Sequence, residues 1–310
     1  MKKRRILLLT LAMSVVLAAC GGSTEEAIPA GTEATETAGE TELSEKPERE
    51  AASMPTEAPE DFEEITAVDN EECAIRITGI DPDDSWGYTI KASFENRSAD
   101  KNYMFSVQTA AINGIDADPF FATTIAAGKK GNSKIQFSNE ELYGPDVGNF
   151  TDIEIMFRVS DSDDWAADAV ALETIHIYPY GEENVKHYVR AAQPQDIVLA
   201  DNDSVSVIVT GFSEDSIWGY TANVYLVNKT DRELMFAADN VSVNGFMADP
   251  FWARSLGGRK VCFTSMSWSD STLEENGIEN VEEIEMTLRA YDPNDWNAKD
   301  VFNETVVLKP

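Results

Sequence analysis

The chain has 310 residues, 56 acidic against 24 basic, for a formal net charge of −32, with 43% apolar residues and two histidines. That is enough apolar material for one or two packed domains. Nucleic acid is excluded as a partner, because neutralising phosphates needs clustered Lys and Arg that so acidic a chain does not offer.

Residues 1–20 begin with Lys2, Lys3, Arg4 and Arg5, continue in an apolar stretch from Ile6 to Leu17 and end on small residues. This is the layout of a secretory signal, and its apolar part is too short to span a bilayer comfortably. Leu17-Ala18-Ala19-Cys20, followed by Gly21-Gly22, resembles the lipobox of bacterial lipoproteins, where cleavage leaves the cysteine as the lipid-modified terminus. The resemblance implies acyl (palmitate-type) chains on Cys20 and a protein held at the extracytoplasmic face of a cell membrane. Two acyl chains give stable anchoring where one gives only reversible binding. A plain secretory signal with a chance cysteine is the alternative.

Residues 21–66 are mostly Thr, Ala, Gly, Pro and Glu with very few large apolar side chains. Such a segment cannot bury enough surface to offset its ordering entropy, which predicts a disordered acidic tether. Its mean reach is about 35–40 Å, and more where glutamates repel one another.

The remainder is a tandem duplication. Trp86-Gly87-Tyr88-Thr89 recurs as Trp218-Gly219-Tyr220-Thr221, Thr78-Gly79 as Thr210-Gly211, and Asn96 as Asn228. One residue is then lost from the second copy. After it, Met104-Phe105 matches Met235-Phe236, Asn113-Gly114 matches Asn244-Gly245, and Asp118-Pro119-Phe120 matches Asp249-Pro250-Phe251. Asp161, Asp164 and Trp165 pair with Asp292, Asp295 and Trp296. The spacing predicts module 1 over 67–179, a connector over 180–196 with room for a short helical turn, and module 2 over 197–310.

Within each copy the apolar period is two. Ile153, Ile155, Phe157 and Val159 alternate with Glu154, Met156 and Arg158, and Ile284, Met286, Leu288 and Ala290 do the same in the second copy. Ile90, Ala92 and Phe94 match Ala222, Val224 and Leu226, while Ile75 and Ile77 match Val207 and Val209. This is the pattern of half-buried strands. Asn-Gly at 113–114 and 244–245 is a strong hairpin signal. No stretch keeps a helical period. About seven short strands in each copy predict an all-β chain of two tandem immunoglobulin-like β-sandwich domains.

The order of features in a copy is also familiar: Asn228 to Arg232 after a strand, Leu-Met-Phe, Val-Asn-Gly, Asp-Pro-Phe-Trp, then Asp-x-x-Asp-Trp. It resembles the immunoglobulin-like modules of Firmicute lipoproteins, largely of unassigned function. The resemblance implies fold and location and brings no catalytic residues.

Catalytic machinery is hard to find. His176 falls where the second copy has Val307, and His187 lies in the connector; neither comes with a nucleophile and an orienting partner. No enzyme activity is expected. Cys73 and Cys262 occupy unrelated positions in different copies, so no disulfide lies within a domain. Cys73 has the core parity of Ile75 and predicts a buried thiol, an interdomain bridge being the lesser alternative.

Two candidate ligand sites remain. Clustered oxygens at Asp161, Asp163 and Asp164, and at Asp292, Asn294 and Asp295, have the donor chemistry for calcium, although the glycine and distal glutamate of an EF-hand loop are missing. Such residues also cap turns without metal, the preferred reading. Trp86, Tyr88, Trp218 and Tyr220 are candidates for an aromatic surface that stacks on cell-wall glycan. Against it, every tryptophan faces an aromatic in the other copy, with Trp252 and Trp268 matching Phe121 and Phe137, and packing accounts for that exchange more simply. No cofactor is expected apart from the calcium alternative. The resulting expectation is a non-enzymatic interaction or structural module of the cell envelope, with a glycan- or calcium-binding lipoprotein as the alternative.

Overall fold

The computed structural model describes residues 62–138, 147–164, 166–213, 217–295 and 297–310. The signal-like segment, Cys20 and the expected tether up to residue 61 lie outside them, as do Trp165 and Trp296. Among the described residues no helix is long and apolar enough to cross a membrane.

Module 1 contains β1 (Ile65–Asp69), β2 (Cys73–Asp81), β3 (Tyr88–Asn96), β4 (Tyr103–Ile112), β5 (Ile115–Ala117), β6 (Ala122–Ile125), β7 (Lys130–Phe137), β8 (Ile153–Asp161) and β9 (Ala171–Ile177). A 3-10 turn at Glu182–Asn184 occupies the connector. Module 2 repeats the series as β10 (Ile197–Asp201), β11 (Val205–Ser213), β12 (Tyr220–Asn228), β13 (Leu234–Val243), β14 (Phe246–Met247), β15 (Ala253–Leu256), β16 (Val261–Trp268), β17 (Ile284–Tyr291) and β18 (Phe302–Leu308). The first strand begins inside the stretch expected as tether, because Ile65 pairs with Ile77 and extends the sheet by one edge strand.

Each module is an immunoglobulin-like sandwich. One sheet of module 1 runs β1-β2-β3-β7; the other runs β5-β4-β8-β9, with β6 also on β4. The pairings β3–β7 and β4–β8 are those of strands B–E and C–F in that fold, and β1 is an added edge. Module 2 gives β10-β11-β12-β16 and β14-β13-β17-β18, with β15 on β13. Between the sheets the alternating apolar faces meet. Ile75, Ile77, Ile90, Phe94, Phe105, Phe137, Ile155 and Phe157 form the first core, and Val207, Val224, Leu226, Phe236, Met266, Trp268, Met286 and Leu288 the second. Each such side chain stabilises its sandwich by about 1.5–3 kcal/mol.

The repeated polar residues fix the turns. Asn113-Gly114 and Asn244-Gly245 both have positive φ, 52° and 84° in the first and 50° and 82° in the second, as a two-residue I′ hairpin requires. Asn96 Nδ2 donates to the carbonyls of Lys101 and Ile125, and Asn228 Nδ2 donates to the matching carbonyls of Arg232 and Leu256. At Thr78-Gly79 and Thr210-Gly211 the register slips by one residue in a β-bulge.

A six-residue helix, α1 (Asp270–Glu275), follows β16; Ser269 caps it by accepting from Thr272 N–H. The sequence gives no sign of it beyond the cap, since six residues are too few for a helical period.

The modules join by a strand bridge. Val261 of β16 pairs in parallel with Ile115 of β5, its N–H donating to Gly114 O at 3.0 Å, so that one sheet of each module continues into the other. Two ion pairs flank the bridge: Arg254 to Asp116, and Lys260 Nζ to Glu154 Oε2 at 2.5 Å. Burial pushes the Asp116 carboxyl above its ordinary value against the pull of Arg254. Tyr188 of the connector donates its N–H to Asn113 O and packs edge-on against Phe263.

Candidate functional site

The Trp-Gly-Tyr-Thr repeat divides into three internal residues and one external one. Gly87 has φ +112°, and a Cβ there would stand 2.2 Å from Phe137 O; Gly219, at φ +86°, meets Trp268 O at the same distance. Only glycine fits such a turn, for reasons of both dihedral and space. Tyr88 and Tyr220 are buried at the start of their strands, where Tyr88 stacks on Phe150 at 4.6 Å and Tyr220 on Phe212 at 5.9 Å. Thr89 and Thr221 are buried and donate Oγ1–H to Gly87 O and Gly219 O.

Trp86 and Trp218, by contrast, are 75% and 67% exposed. This corrects two expectations. Packing explains Trp268, which is fully buried with Nε1 donating to Ala248 O, and Trp252, which is partly buried against the core, but it does not explain Trp86 or Trp218. Tyr88 and Tyr220 are core residues and not members of an exposed aromatic surface. The physical reason is the glycine: its positive φ breaks the strand parity that would otherwise put Trp and Tyr on one face.

A second exposed aromatic recurs with the tryptophan. Phe120 and Phe251, from the matched Asp-Pro-Phe turns, are both nearly fully exposed. Phe120 is held at φ +39° with its N–H donating to Asp118 Oδ1, and Phe251 N–H donates to Ser267 O at 2.7 Å. In module 2, Trp218 and Phe251 line one cleft of about 310 Å³ with Asp249, Ser269 and Thr272. Sequence comparison of the copies contained Phe120 and Phe251 as identities, but nothing in the pattern distinguished an exposed aromatic from a packed one.

The acidic turns are capped turns. Asp161 Oδ1 accepts from Asp163 N–H, Asp164 Oδ1 from Ala166 N–H, Asp292 Oδ1 from Asn294 N–H and Asp295 Oδ1 from Asn297 N–H, all at 2.9–3.0 Å. The Asp163 N–H thereby holds the Asp161 carboxyl below its ordinary value. Basic groups take the outer oxygens: Lys101 lies 3.3 Å from Asp161 and Arg232 3.2 Å from Asp292. Asp163 accepts from Asn102 and Asn294 donates to Glu233. Among the described residues no group of three or more His, Cys, Asp or Glu side chains is placed to hold a metal ion.

Of the remaining reactive groups, His176 is occupied, the two cysteines are sealed and His187 is exposed in a cleft. His176 Nδ1 is 2.7 Å from Asp152 Oδ1 and its Nε2 3.6 Å from Glu154, with the ring stacked on Tyr178. His187 lines a wider cleft of about 840 Å³ with Lys186, Arg190 and Phe263. Arg190 in that cleft is held by two 2.7 Å bonds to Asp196. Cys73 and Cys262 are free and buried, and burial raises their thiols to about 11 and about 12.

No protein-family model matches the chain. No curated protein matches it. Among solved structures it is similar to the transglutaminase of red sea bream at 10% identity and a TM-score of 0.19, a match covering 72% of this chain and 28% of that one, under a third of that protein's length.

Proposed function

We propose that this chain is a membrane-anchored extracytoplasmic lipoprotein whose two sandwiches act as non-enzymatic binding modules of the cell envelope. The observation that carries the binding role is the repeated, exposed Trp. Roughly two thirds of the aligned positions differ between the copies, yet Trp86 and Trp218 are both tryptophan with no burial to require it. Isolated exposed apolar residues are ordinary, but the same large aromatic kept outside at one position of both copies, with an exposed Phe in the Asp-Pro-Phe turn of each copy, supports an interaction surface. Photo-crosslinking on intact cells tests it. Neighbours captured by the unaltered chain should disappear with Trp86→Ala plus Trp218→Ala, and an unchanged set of neighbours, or none, would remove the reading.

The lipid anchor rests on Leu17-Ala18-Ala19-Cys20. Metabolic labelling with an alkyne-bearing fatty acid should mark the chain and fail on Cys20→Ala. The non-enzymatic reading rests on the sealed thiols and on a histidine pinned between two carboxylates. A hydrolase reading would need an activated nucleophile in a cleft.

The Trp218–Phe251 cleft favours a second, more specific reading, a glycan ligand. A flat aromatic face beside the Asp249 carboxylate and the Ser269 and Thr272 hydroxyls offers both stacking and hydrogen bonding to a sugar ring. The acidic surface disfavours polyanionic polymers and leaves neutral glycans. A glycan array probed with the detergent-solubilised chain should show binding that is lost in Trp218→Ala; absence of saturable binding would leave a protein partner.

A further inference from the structure

The contact between the modules is heterologous: the outer face of the β5-β4-β8-β9 sheet in module 1 receives the β15–β16 turn of module 2. Because the modules are duplicates, each surface in this contact has a counterpart at the far end of the molecule. The counterpart of the receiving face is on module 2, and that of the inserted turn is on module 1, between β6 and β7.

The receiving surface in module 1 is built from Gly114, Ile115, Asp116 and Glu154. Ile115 is fully buried there, Gly114 O accepts from Val261 N–H, and Glu154 holds Lys260. The matching residues of module 2 are Gly245, Phe246, Met247 and Glu285. Phe246 is 51% and Met247 65% exposed, and Val307, which pairs with Glu285 across β17 and β18, is also exposed. Strand β14 ends its sheet there, as β5 does in module 1 before β16 joins it.

The inserted turn has its own duplicate. Lys260 matches Lys129, and Val261, which opens β16, matches Lys130, which opens β7. Strand β7 is an open edge of its sheet. Both members of the Lys260–Glu154 pair are thus repeated as the identical residues Lys129 and Glu285. Both are exposed, and among the described residues neither has an ion-pair partner. Open strand edges and exposed apolar side chains are features that proteins ordinarily cover or blunt.

We propose that the exposed face of module 2 around Phe246, Met247 and Glu285 binds the β6–β7 turn of module 1 in a second copy of this chain, repeating between molecules the contact that joins the modules within one. Lys129 of the incoming copy meets Glu285, and β7 extends the β14 edge in parallel. The Arg254–Asp116 pair has no duplicate, since its positions hold Thr123 and Met247; apolar contact replaces it. A head-to-tail contact of this kind does not close on itself by a two-fold axis, so it builds assemblies larger than a dimer, rings or open arrays. The inference is independent of the aromatic surface and of its ligand.

Full-length chains carrying Lys129→Cys, Glu285→Cys or both, displayed on intact cells and treated with a short-spacer bismaleimide, test the contact. Cys73 and Cys262 are buried and stay silent. The double variant should give a ladder of linked dimers, trimers and higher species, the two single variants expressed together should give dimers only, and each single variant alone should give none. A dimer from one single variant alone would show two-fold packing and overturn the proposal; monomers throughout would also overturn it. Both positions are exposed, and unchanged thermal unfolding confirms that the variants fold.

Discussion

Modules 1 and 2 share the same series of nine strands, yet their cores are filled differently. Phe94 and Phe137 in the first become Leu226 and Trp268 in the second, and Ile135 becomes Met266, all fully buried. A few core residues stay identical, Phe105 and Phe236 among them, but the identities at turns are polar or small: Gly87 and Gly219, Asn96 and Asn228, Asn113 and Asn244. A core needs volume, which many combinations supply, whereas a positive φ or a buried carbonyl pair admits one or two residue types. The modules differ most where one covers the other: Ile115 is sealed by β16, and its equivalent Phe246 lies open.

Paired substitutions turn this comparison into measurements. The largest loss is expected from Phe105→Ala and Phe236→Ala, each removing a fully buried ring at the same position and costing about 3–5 kcal/mol in urea unfolding. Equal losses would show two equally packed cores, and unequal ones would reveal that one sandwich supports the other. Gly87→Ala and Gly219→Ala come next, with about 1–3 kcal/mol of strain each, because a Cβ meets a backbone oxygen that cannot move away. If either variant is as stable as the parent, the Trp-Gly turn is not fixed as described. Asn96→Ala leaves two carbonyls and Asn228→Ala three without their Nδ2 donor, at about 1–2 kcal/mol for each variant.

Thiol chemistry gives a sharper reading of the same cores. With Cys73 raised to about 11 and Cys262 to about 12, the thiolate fraction at pH 8 is on the order of one in a thousand or less. Both should resist a thiol reagent until urea unfolds their module. The fold favours the protonated form, so stability from these groups is complete below the ordinary thiol value near 9 and declines as pH rises toward 11. The smallest effect belongs to Trp86→Ala and Trp218→Ala, under about 0.5 kcal/mol each, since both rings lie outside. A larger loss in thermal unfolding would return them to a structural role.

Much of the fold was legible because β-structure writes its burial with a period of two, and a duplication writes every turn twice. The strands β8 and β17, the two Asn-Gly hairpins and the connector's short turn follow from the residues alone. The candidate site was only half legible. Trp86 and Tyr88 have the same parity in the sequence, and the turn at Gly87 that sends one out and the other in depends on a close approach to β7, far along the chain. The acidic turns have donor chemistry for a cation as well as for capping, the preferred reading, and backbone N–H groups on their oxygens make them capped turns. Alternation and repetition, being local or self-referential, determined the all-β class and the modular plan, while the expected address is what the lipobox resemblance at Cys20 implies. Which aromatics face solvent, and which copy of a duplicated surface is covered, was decided by tertiary contacts between residues distant in the chain, since exposure is a property of what packs alongside.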